Sequence, residues 1–462
     1  MSKQIILNAF DMNSSMHNSH GLWKHAESKR HQRYKDLDYW IDLAKTLEKG
    51  KFDAIFFADV LGVYDVYQKS KDPSIRDGLQ VPINDPALLV PAMASVTNHL
   101  SFAVTVSTTY EAPFGNARRF STLDHLTKGR VAWNVVTSYL PNAARNFGLD
   151  KMIRHDERYD IAHEYMDVSY KLWESSWEDG AVVEDHQTDT LVDPYKVHEI
   201  DHEGHYFSVE GPHLSEPSPQ RTPVIYQAGT SEKGREFASK HAECVFVGGP
   251  TPERIRYYAE DIRERAVKHG RNPDNVKIFS FLSVIVGETT EEAEQKFEEY
   301  NKVWSADAAK AQYGASGYDV AEFEEMDPDE PFEYKKTTEG GQYKAATLTK
   351  DAPKKLTVRE VLNRFESIDR NSVIVGNPAE VADAIQFQFE ASGVDGFNLN
   401  HLVSPGDLEA FVELVVPELQ KRGLYKEEYE EGTLREKLFD GEARLPDDHP
   451  GKAYAFRKEV VR

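Results

Sequence analysis

The strongest constraint on the fold is a regular alternation of short apolar runs with amphipathic, helix-like segments. Within the runs the apolar residues are continuous, which is typical of parallel strands covered on both faces. A helix-like segment follows each run. The eight runs are residues 4–10, 53–59, 101–107, 130–138, 223–229, 244–249, 277–287 and 395–401. The sequence therefore predicts an α/β protein with a closed (β/α)8 TIM barrel, and an open doubly wound sheet with two domains is the alternative.

Two stretches interrupt this alternation. Residues 178–220 are polar and rich in His, Asp and Pro, which predicts a long insertion after the fourth helix. Residues 305–371 are longer and less apolar, which predicts a second insertion in the seventh β/α region that could cover the barrel mouth as a lid. We expect a single barrel over residues 1–424 and a C-terminal extension, 425–462, that packs on the barrel or on a second subunit.

Composition excludes several classes of protein. The formal net charge of −23 argues against a nucleic-acid partner and against binding to an anionic membrane surface. The single cysteine, Cys244, cannot form an internal disulfide, and the N-terminus lacks the apolar run of a signal peptide. No segment approaches the roughly 20 apolar residues of a membrane span. We therefore expect a cytoplasmic protein.

Candidate functional residues lie where the predicted strands end, because barrel sites are built at the C-terminal ends of the strands. These positions carry hydrogen-bonding side chains, and no carboxylate pair, Ser-His-Asp set or Cys-His pair stands out. Such a pocket favours a protein that holds a large polar cofactor and lets it do the chemistry. The alternative for each residue is a group that caps its strand. The main candidates are Ser14, His17, Asp59, Tyr64, Thr105, Asn134, Ser138, Tyr139, Gly229, Thr230 and Ser231.

The stretch VIYQAGTSEKGREFA, residues 224–238, joins the fifth strand to a helix through small and hydroxylated residues. Such a junction leaves backbone N–H groups uncovered, which suits a phosphate. It equally suits an ordinary N-cap at Ser231. In HDERYD, residues 155–160, His155 and Tyr159 share one helix face with Arg158 nearby, and an ordinary acidic helix start is the alternative.

Three histidines have spacing that resembles a metal site. His198, His202 and His205 lie in HEIDHEGH, within the first insertion. The intervening Gly and Asp favour a solvated hairpin, so no metal site is predicted. The alternative is a metal-dependent barrel hydrolase that uses these histidines.

Several blocks resemble, in order, a known family. They include TTYEAPFGNARRFSTLDHLTKGR, GRVAWNVVTS, ARNFG, HDERYD, LWESSWEDGAVV and PSPQRTPVIYQAGTSEKGREFA. The sequence resembles those of the FMN-dependent monooxygenases of the bacterial luciferase-like superfamily. Within that superfamily it is most similar to the branch of nitrilotriacetate, pristinamycin IIA and dibenzothiophene-sulfone monooxygenases. The resemblance covers nearly the whole chain and is weakest in 305–371.

The resemblance implies a barrel that binds FMN at its mouth. One group of residues would face the flavin: Asp59, Thr105, Asn134 and Ser138. A second group would hold the phosphate: His155, Tyr159, Gly229, Thr230 and Ser231. His17, Tyr64 and Tyr139 would orient or protonate the oxidant. Ser14 and Tyr139 would line the substrate side, where alkane-oxidising members have a cysteine and a histidine.

The implied reaction uses two components. Reduced FMN (FMNH2) and O2 would form a flavin C4a-hydroperoxide that oxygenates an apolar small molecule, such as a long-chain alkane, a sulfone, a thioether or a related sulfur or nitrogen compound. A separate NAD(P)H-dependent flavin reductase would supply the reduced FMN, because no second nucleotide fingerprint is found. The resemblance also implies a homo-oligomer. A flavin-binding protein without catalytic activity is a further alternative.

Overall fold

A computed structural model describes residues 3–333, 338–349, 351–352 and 354–456, with only the backbone at residues 343 and 344. Eight parallel strands form its centre: β1 (Ile6–Asp11), β2 (Ala54–Phe57), β3 (Ser101–Ser107), β4 (Val131–Val136), β5 (Val224–Ala228), β6 (Cys244–Val247), β7 (Lys277–Val286) and β8 (Gly396–Asn400). Neighbours along the chain pair in order, and β8 pairs with β1. The ring is therefore closed. The predicted TIM barrel is confirmed and the open sheet is wrong.

Helices surround this barrel. They are α1 (Leu37–Lys49), α2 (Val90–Ala94), α3 (Pro113–Thr127), α4 (His155–Tyr170), α5 (Glu232–His241), α6 (Pro252–Lys268), α7 (Thr290–Val303) and α8 (Pro378–Ser392). The helical turns Gly406–Ala410, Phe411–Val415 and Val416–Lys421 form the last barrel helix. Within the described parts of the chain, no helix is both long and apolar enough to cross a bilayer.

Two of these helices differ from the sequence expectation. The segment DPALLVPAMASVTNH, residues 85–99, predicts a helix with Asp85 as its N-cap. The structure instead forms a short turn, Pro86–Leu88, followed by α2, because Pro86 and Pro91 each lack the N–H that would continue a helix. Helix α8 was not expected from the sequence; it lies between α6 and the last barrel helix and completes the ring. Helix α7 packs instead on a short strand, Ile374–Gly376, that extends the edge of β7.

The barrel interior is filled by side chains that the strand register brings to one level. Phe10 on β1 pairs with Phe56 on β2, and Phe56 pairs with Ala103 on β3. These residues are buried in one cluster with Leu434 and Leu438 of the C-terminal extension. The helix Leu434–Phe439 thus closes the bottom of the barrel.

The two insertions contain their own elements. The first carries two hairpins, Val182–Asp185 with Thr190–Val192 and His202–Glu203 with Ser208–Val209. The second contains the short helices Ala306–Tyr313, Ala321–Glu324, Gln342–Thr347 and Val358–Asn363. Their apolar side chains share a buried cluster with Tyr64 and Leu140, which follow β2 and β4. The second insertion therefore covers the C-terminal ends of the strands.

Candidate active site

Three adjoining pockets form one cleft at the C-terminal ends of the strands. Asp59 and Val60, directly after β2, line all three. One pocket extends toward the start of α5, and a second extends between β2 and β3. The third is a cavity of about 610 Å³ under the second insertion. The cleft thus has distinct ends that a single bound molecule could connect.

The β5–α5 junction forms part of the first pocket wall. Gly229, Thr230 and Ser231 all line it. A Cβ at Gly229 would lie 2.4 Å from Nε2 of Gln227, so a larger residue there would have to displace the Gln227 side chain. The Ser231 hydroxyl accepts a hydrogen bond from the Gly234 N–H at 3.0 Å. The N-cap alternative is thus confirmed, and the same residues border a cleft.

Helix α4 faces this junction with three side chains. His155, Arg158 and Tyr159 line the same pocket. Arg158 donates through Nη1 to the Ile153 carbonyl and through Nη2 to the Glu339 carbonyl, each at 2.7 Å. Its Nε has no hydrogen-bond partner among the described residues. A buried guanidinium with a free donor beside bare backbone N–H groups is suited to an anion.

Arg158 was not among the ligands expected from the sequence. Burial lowers the pKa of its guanidinium, an effect that the charges of Tyr159, Tyr110 and Glu339 oppose. Only its position in HDERYD could have pointed to it. His155 begins α4, and its Nδ1 lies 2.8 Å from Oδ1 of Asp156.

The middle of the cleft presents a row of hydrogen-bonding groups from β3 and β4. The Thr105 hydroxyl donates to the Phe57 carbonyl and accepts from Nδ2 of Asn134, each at 2.7 Å. Ser138 has a φ of 58° and donates to the Ser107 hydroxyl at 2.9 Å. Buried Oδ1 of Asn134 lacks a partner in the described chain.

Gln227 on β5 adds a second buried oxygen of this kind. Its Oε1 likewise has no hydrogen-bond partner among the described atoms. Unpaired buried acceptors require donors from elsewhere. A flavin ring offers an N–H donor together with carbonyl and ring-nitrogen acceptors, so the groups in this row fit it.

Asp59 stands where the three pockets meet. Burial, together with the nearby charges of Asp85 and Glu111, raises the pKa of its carboxyl to about 7, although a backbone hydrogen bond from Val60 lowers it. The carboxyl therefore exchanges its proton near neutral pH. A carboxyl with this property in a cleft is a candidate functional group.

The largest cavity is mainly apolar, but one wall is a chain of hydrogen bonds. The apolar walls include Phe10, Phe56, Phe246, Phe281, Trp304 and Ile368. On the polar wall, the Tyr64 hydroxyl lies 3.2 Å from that of Tyr139 and donates to Oε1 of Gln80 at 2.8 Å. Nε2 of Gln80 then contacts Oδ1 of Asn18 at 3.3 Å.

Gln312, in the second insertion, extends this series of hydrogen bonds. Nε2 of Gln312 donates to Oδ1 of Asn18 at 2.7 Å, and Oε1 of Gln312 lies 2.9 Å from Nε2 of His20. Burial raises the pKa of both Tyr64 and Tyr139 above the usual value. Both phenols therefore stay protonated and can donate hydrogen bonds at neutral pH.

Two expected site residues lie apart from the residues that line this cavity. The Ser14 hydroxyl is buried and donates to the Met16 carbonyl at 2.7 Å. His17 packs beside Phe10 and 4.7 Å from the His401 ring, and burial lowers its pKa well below the usual value. Of the four expected residues, Tyr64 and Tyr139 therefore line the cavity, whereas Ser14 and His17 do not. The Ser14 hydroxyl has a structural hydrogen bond instead.

The three histidines of the first insertion do not converge. Nε2 of His198 lies 2.9 Å from Glu178, and Nε2 of His202 lies 3.3 Å from Glu164. The His205 ring packs on Tyr206. Among the described residues no group of three His, Cys, Asp or Glu side chains could hold a metal ion. The metal-dependent hydrolase therefore has no support in this hairpin.

Comparison with known proteins covers nearly the whole chain. The family model of luciferase-like monooxygenases matches residues 13–396. A long-chain alkane monooxygenase of Geobacillus thermodenitrificans (strain NG80-2) is 55% identical over 458 residues, covering 98% of each chain. A dimethyl-sulfide monooxygenase of Hyphomicrobium sulfonivorans is 46% identical, covering 98% of this chain and 94% of the relative.

A solved structure adds a comparison of the fold. The crystal structure of a riboflavin lyase with modified FMN and its substrate riboflavin has a TM-score of 0.90 at 37% identity, covering 98% of this chain and 100% of that one. The two relatives and this structure each match 98% of the chain. The chain is an oxidoreductase of the luciferase-like monooxygenase family.

Proposed function

We propose that this chain uses reduced FMN and O2 to oxygenate an apolar small molecule. The main support is that one cleft joins two different ends, with Asp59 lining both. One is the pocket lined by Arg158 and the Gly229–Ser231 junction, here called the anion-binding end, and the other is the large apolar cavity. The anion-binding end has the size and donors for a phosphate, and the apolar cavity has room for a substrate beside a flavin ring. The riboflavin lyase with modified FMN supports the choice of cofactor.

In this proposal the chain's own residues bind and orient the flavin. Gly229, Thr230, Ser231 and Arg158 hold the phosphate with N–H and hydroxyl donors, and His155 and Tyr159 border it. Thr105, Asn134 and Ser138 face the ring. Reduced FMN, when bound, supplies the electrons that activate O2.

The substrate end would exclude water and direct a proton. Aromatic walls and the covering insertion keep the cavity dry, which protects a reactive oxidant from hydrolysis. Tyr64 and Tyr139 are protonated donors in that cavity, so they can hold or deliver a proton at the reacting oxygen. His17 stays a candidate for an indirect role through Phe10. Asp59 is a cofactor-binding residue in this account.

Two substrate classes fit this cavity. The relatives named above act on a long-chain alkane and on dimethyl sulfide. A hydrocarbon would leave no hydroxyl unpaired, because Tyr139 pairs with Tyr64 and Ser14 with Met16. A thioether or sulfone could instead accept a hydrogen bond from the polar wall. We retain both classes, together with related nitrogen compounds.

Three further parts of the proposal concern the protein partner, the cellular location and the oligomeric state. A separate NAD(P)H-dependent flavin reductase would deliver the reduced FMN. The chain would act in the cytoplasm and form a dimer or larger homo-oligomer, and the extension beyond residue 424 could contribute to that contact. These parts rest on the family resemblance.

The test is isotopic. Photoreduced FMN is bound without oxygen, ¹⁸O2 is admitted, and hexadecane, dimethyl sulfide and an aryl sulfone are supplied separately. We expect one ¹⁸O atom in the product of at least one substrate. Release of hydrogen peroxide alone with all substrates would instead support a non-catalytic flavin protein.

A further inference from the structure

A loop of the second insertion lies against the anion-binding end of the cleft. Gly340 and Gly341 line the same pocket as Arg158, and Gly341 also lines the large cavity. Glu339 precedes them. Residues 339–342 are here called the 339–342 loop, and they lie about 180 positions along the chain from the helix that they contact.

Two contacts fix this loop to α4. The Glu339 carboxylate accepts a hydrogen bond from the His155 N–H, at the positive N-terminal end of that helix. The Glu339 carbonyl accepts one from Nη2 of Arg158 at 2.7 Å. One residue of the insertion therefore holds both the helix terminus and the guanidinium.

The opposite side of the loop is packed without free space. The Gly341 N–H donates to the Ala315 carbonyl at 2.7 Å. A Cβ at Gly340 would lie 2.6 Å from that carbonyl oxygen and 3.0 Å from the Gly317 nitrogen, both backbone atoms. Neither backbone atom can rotate away as a side chain could, so an added methyl must displace the loop.

We infer that the 339–342 loop is a positioning element for the cofactor, and that it orients the Arg158 guanidinium toward the phosphate. The inference rests on the proposed FMN site and adds a role for the insertion within it. Two of the three Arg158 nitrogens have carbonyl partners, and only one of those, Ile153, belongs to the same part of the chain. Displacement of Glu339 would break one of the two hydrogen bonds that hold the guanidinium.

A change in the orientation of Arg158 should affect only ligands that carry a phosphate. FMN carries the dianion that Arg158 would contact, whereas riboflavin has the same ring and ribityl chain without it. A disturbed loop should therefore weaken FMN binding and leave riboflavin binding nearly unchanged. A loop that serves only as a wall of the pocket would affect both ligands equally.

The test measures the dissociation constants of FMN and riboflavin by fluorescence on the full-length chain. For Gly340→Ala we expect at least about a tenfold increase for FMN, the scale of one charge-assisted hydrogen bond, and less than about twofold for riboflavin. Gly115→Ala is the matched control, because its Cβ meets no atom within 4 Å and Gly115 is not part of the cleft wall. Equal weakening of both ligands by Gly340→Ala would overturn the inference.

Substitutions at two further residues, Glu339 and Arg158, keep the test decisive if Gly340→Ala does not fold. Glu339→Ala removes the exposed carboxylate that holds α4, and we expect the same preference for FMN loss, at about threefold, with partial rescue in Glu339→Gln. In an Arg158→Gln background, Gly340→Ala or Glu339→Ala should add no further loss. Additive losses would contradict the inference. A wild-type chain that binds FMN no better than riboflavin would instead refute the proposed phosphate site itself.

Discussion

Two buried arginines, Arg435 at the bottom of the barrel and Arg158 at its mouth, have different partners. At the bottom, Arg435 donates to both carboxylate oxygens of Glu243, at 2.7 and 2.9 Å, and to the Thr222 carbonyl at 2.9 Å. At the mouth, Arg158 has carbonyl partners for two nitrogens, and its Nε lacks one among the described residues. The first arginine has a carboxylate partner, whereas the second has none among the residues that the structure describes.

This difference separates a structural charge from a binding charge. A buried ion pair with its hydrogen bonds completed holds segments together and has no capacity for a ligand. A buried guanidinium that keeps a free donor beside a cleft can instead bind an anionic ligand. The comparison predicts that changes at the bottom alter stability and that changes at the mouth alter binding.

The largest expected effect is at the bottom. Arg435→Met would leave the Glu243 carboxylate buried without its cation, which should lower the free energy of unfolding by about 3–5 kcal/mol. Urea denaturation measures this loss, and the FMN dissociation constant should stay unchanged under native conditions. Adding Glu243→Gln to the same chain should recover part of the stability. A large change in FMN affinity without a loss of stability would break the comparison.

The second effect concerns Asp59 and depends on pH. Its pKa is raised from 3.8 to about 7 in the folded protein, so the folded state binds the proton more tightly than the unfolded state between those values. Stability from this group is therefore greatest below about pH 4 and is lost as the pH rises to 7.

Asp59→Asn removes that loss. The free energy of unfolding of the variant, relative to wild type, should rise between pH 4 and pH 7 by roughly 2–4 kcal/mol and then level off. Urea titrations at pH 4.5, 6 and 8 measure the difference, which cancels the titration of other groups. A difference that is constant with pH would show that the Asp59 carboxyl is not perturbed.

Next in size is the phosphate end. Thr230→Ala should raise the FMN dissociation constant by an amount equivalent to about 1.5–3 kcal/mol, because one hydrogen bond to a charged phosphate is lost. Ser231→Ala should do the same and also destabilise the fold by about 1 kcal/mol, since Ser231 caps α5. Calorimetric titration and thermal unfolding separate the two effects. Unchanged FMN affinity in both variants would contradict the phosphate assignment.

The sequence predicted the barrel well because its information was local. Most strands are short, largely apolar runs, and Ser231 lies in a recognisable strand–helix junction. Helix α8 was not predicted, although Asn377 and Glu380 form a capping box at its start. That capping box is the sequence signal that could have predicted the helix.

Site details depended on contacts that no local pattern encodes. HDERYD placed Arg158 near the expected site but could not show its orientation, because Glu339 of the distant insertion holds the guanidinium. Ser14 was expected at the substrate side, but its hydroxyl is bound to the Met16 carbonyl. The pair of Tyr64 and Tyr139 became visible only once the loops after β2 and β4 were placed together.

The smallest expected effect is at the substrate end. Tyr139→Phe removes one hydroxyl from the polar wall, where the net value of a hydrogen bond is about 0.5–1.5 kcal/mol. The apparent KM of a sulfone or thioether should rise by up to about tenfold, whereas that of an alkane should change less than twofold. Steady-state kinetics with both substrates measures this ratio. Equal changes for both would show that the polar wall does not contact the substrate.

The most direct test of the central claim is a crystal structure of the chain with FMN. The account predicts phosphate density within hydrogen-bond distance of the Arg158 guanidinium and of the Gly229–Ser231 junction, with the ring beside Thr105 and Asn134. Phosphate density outside this junction, with Nε of Arg158 still unpaired, would contradict the claim that the incomplete polar groups at the mouth are the cofactor site.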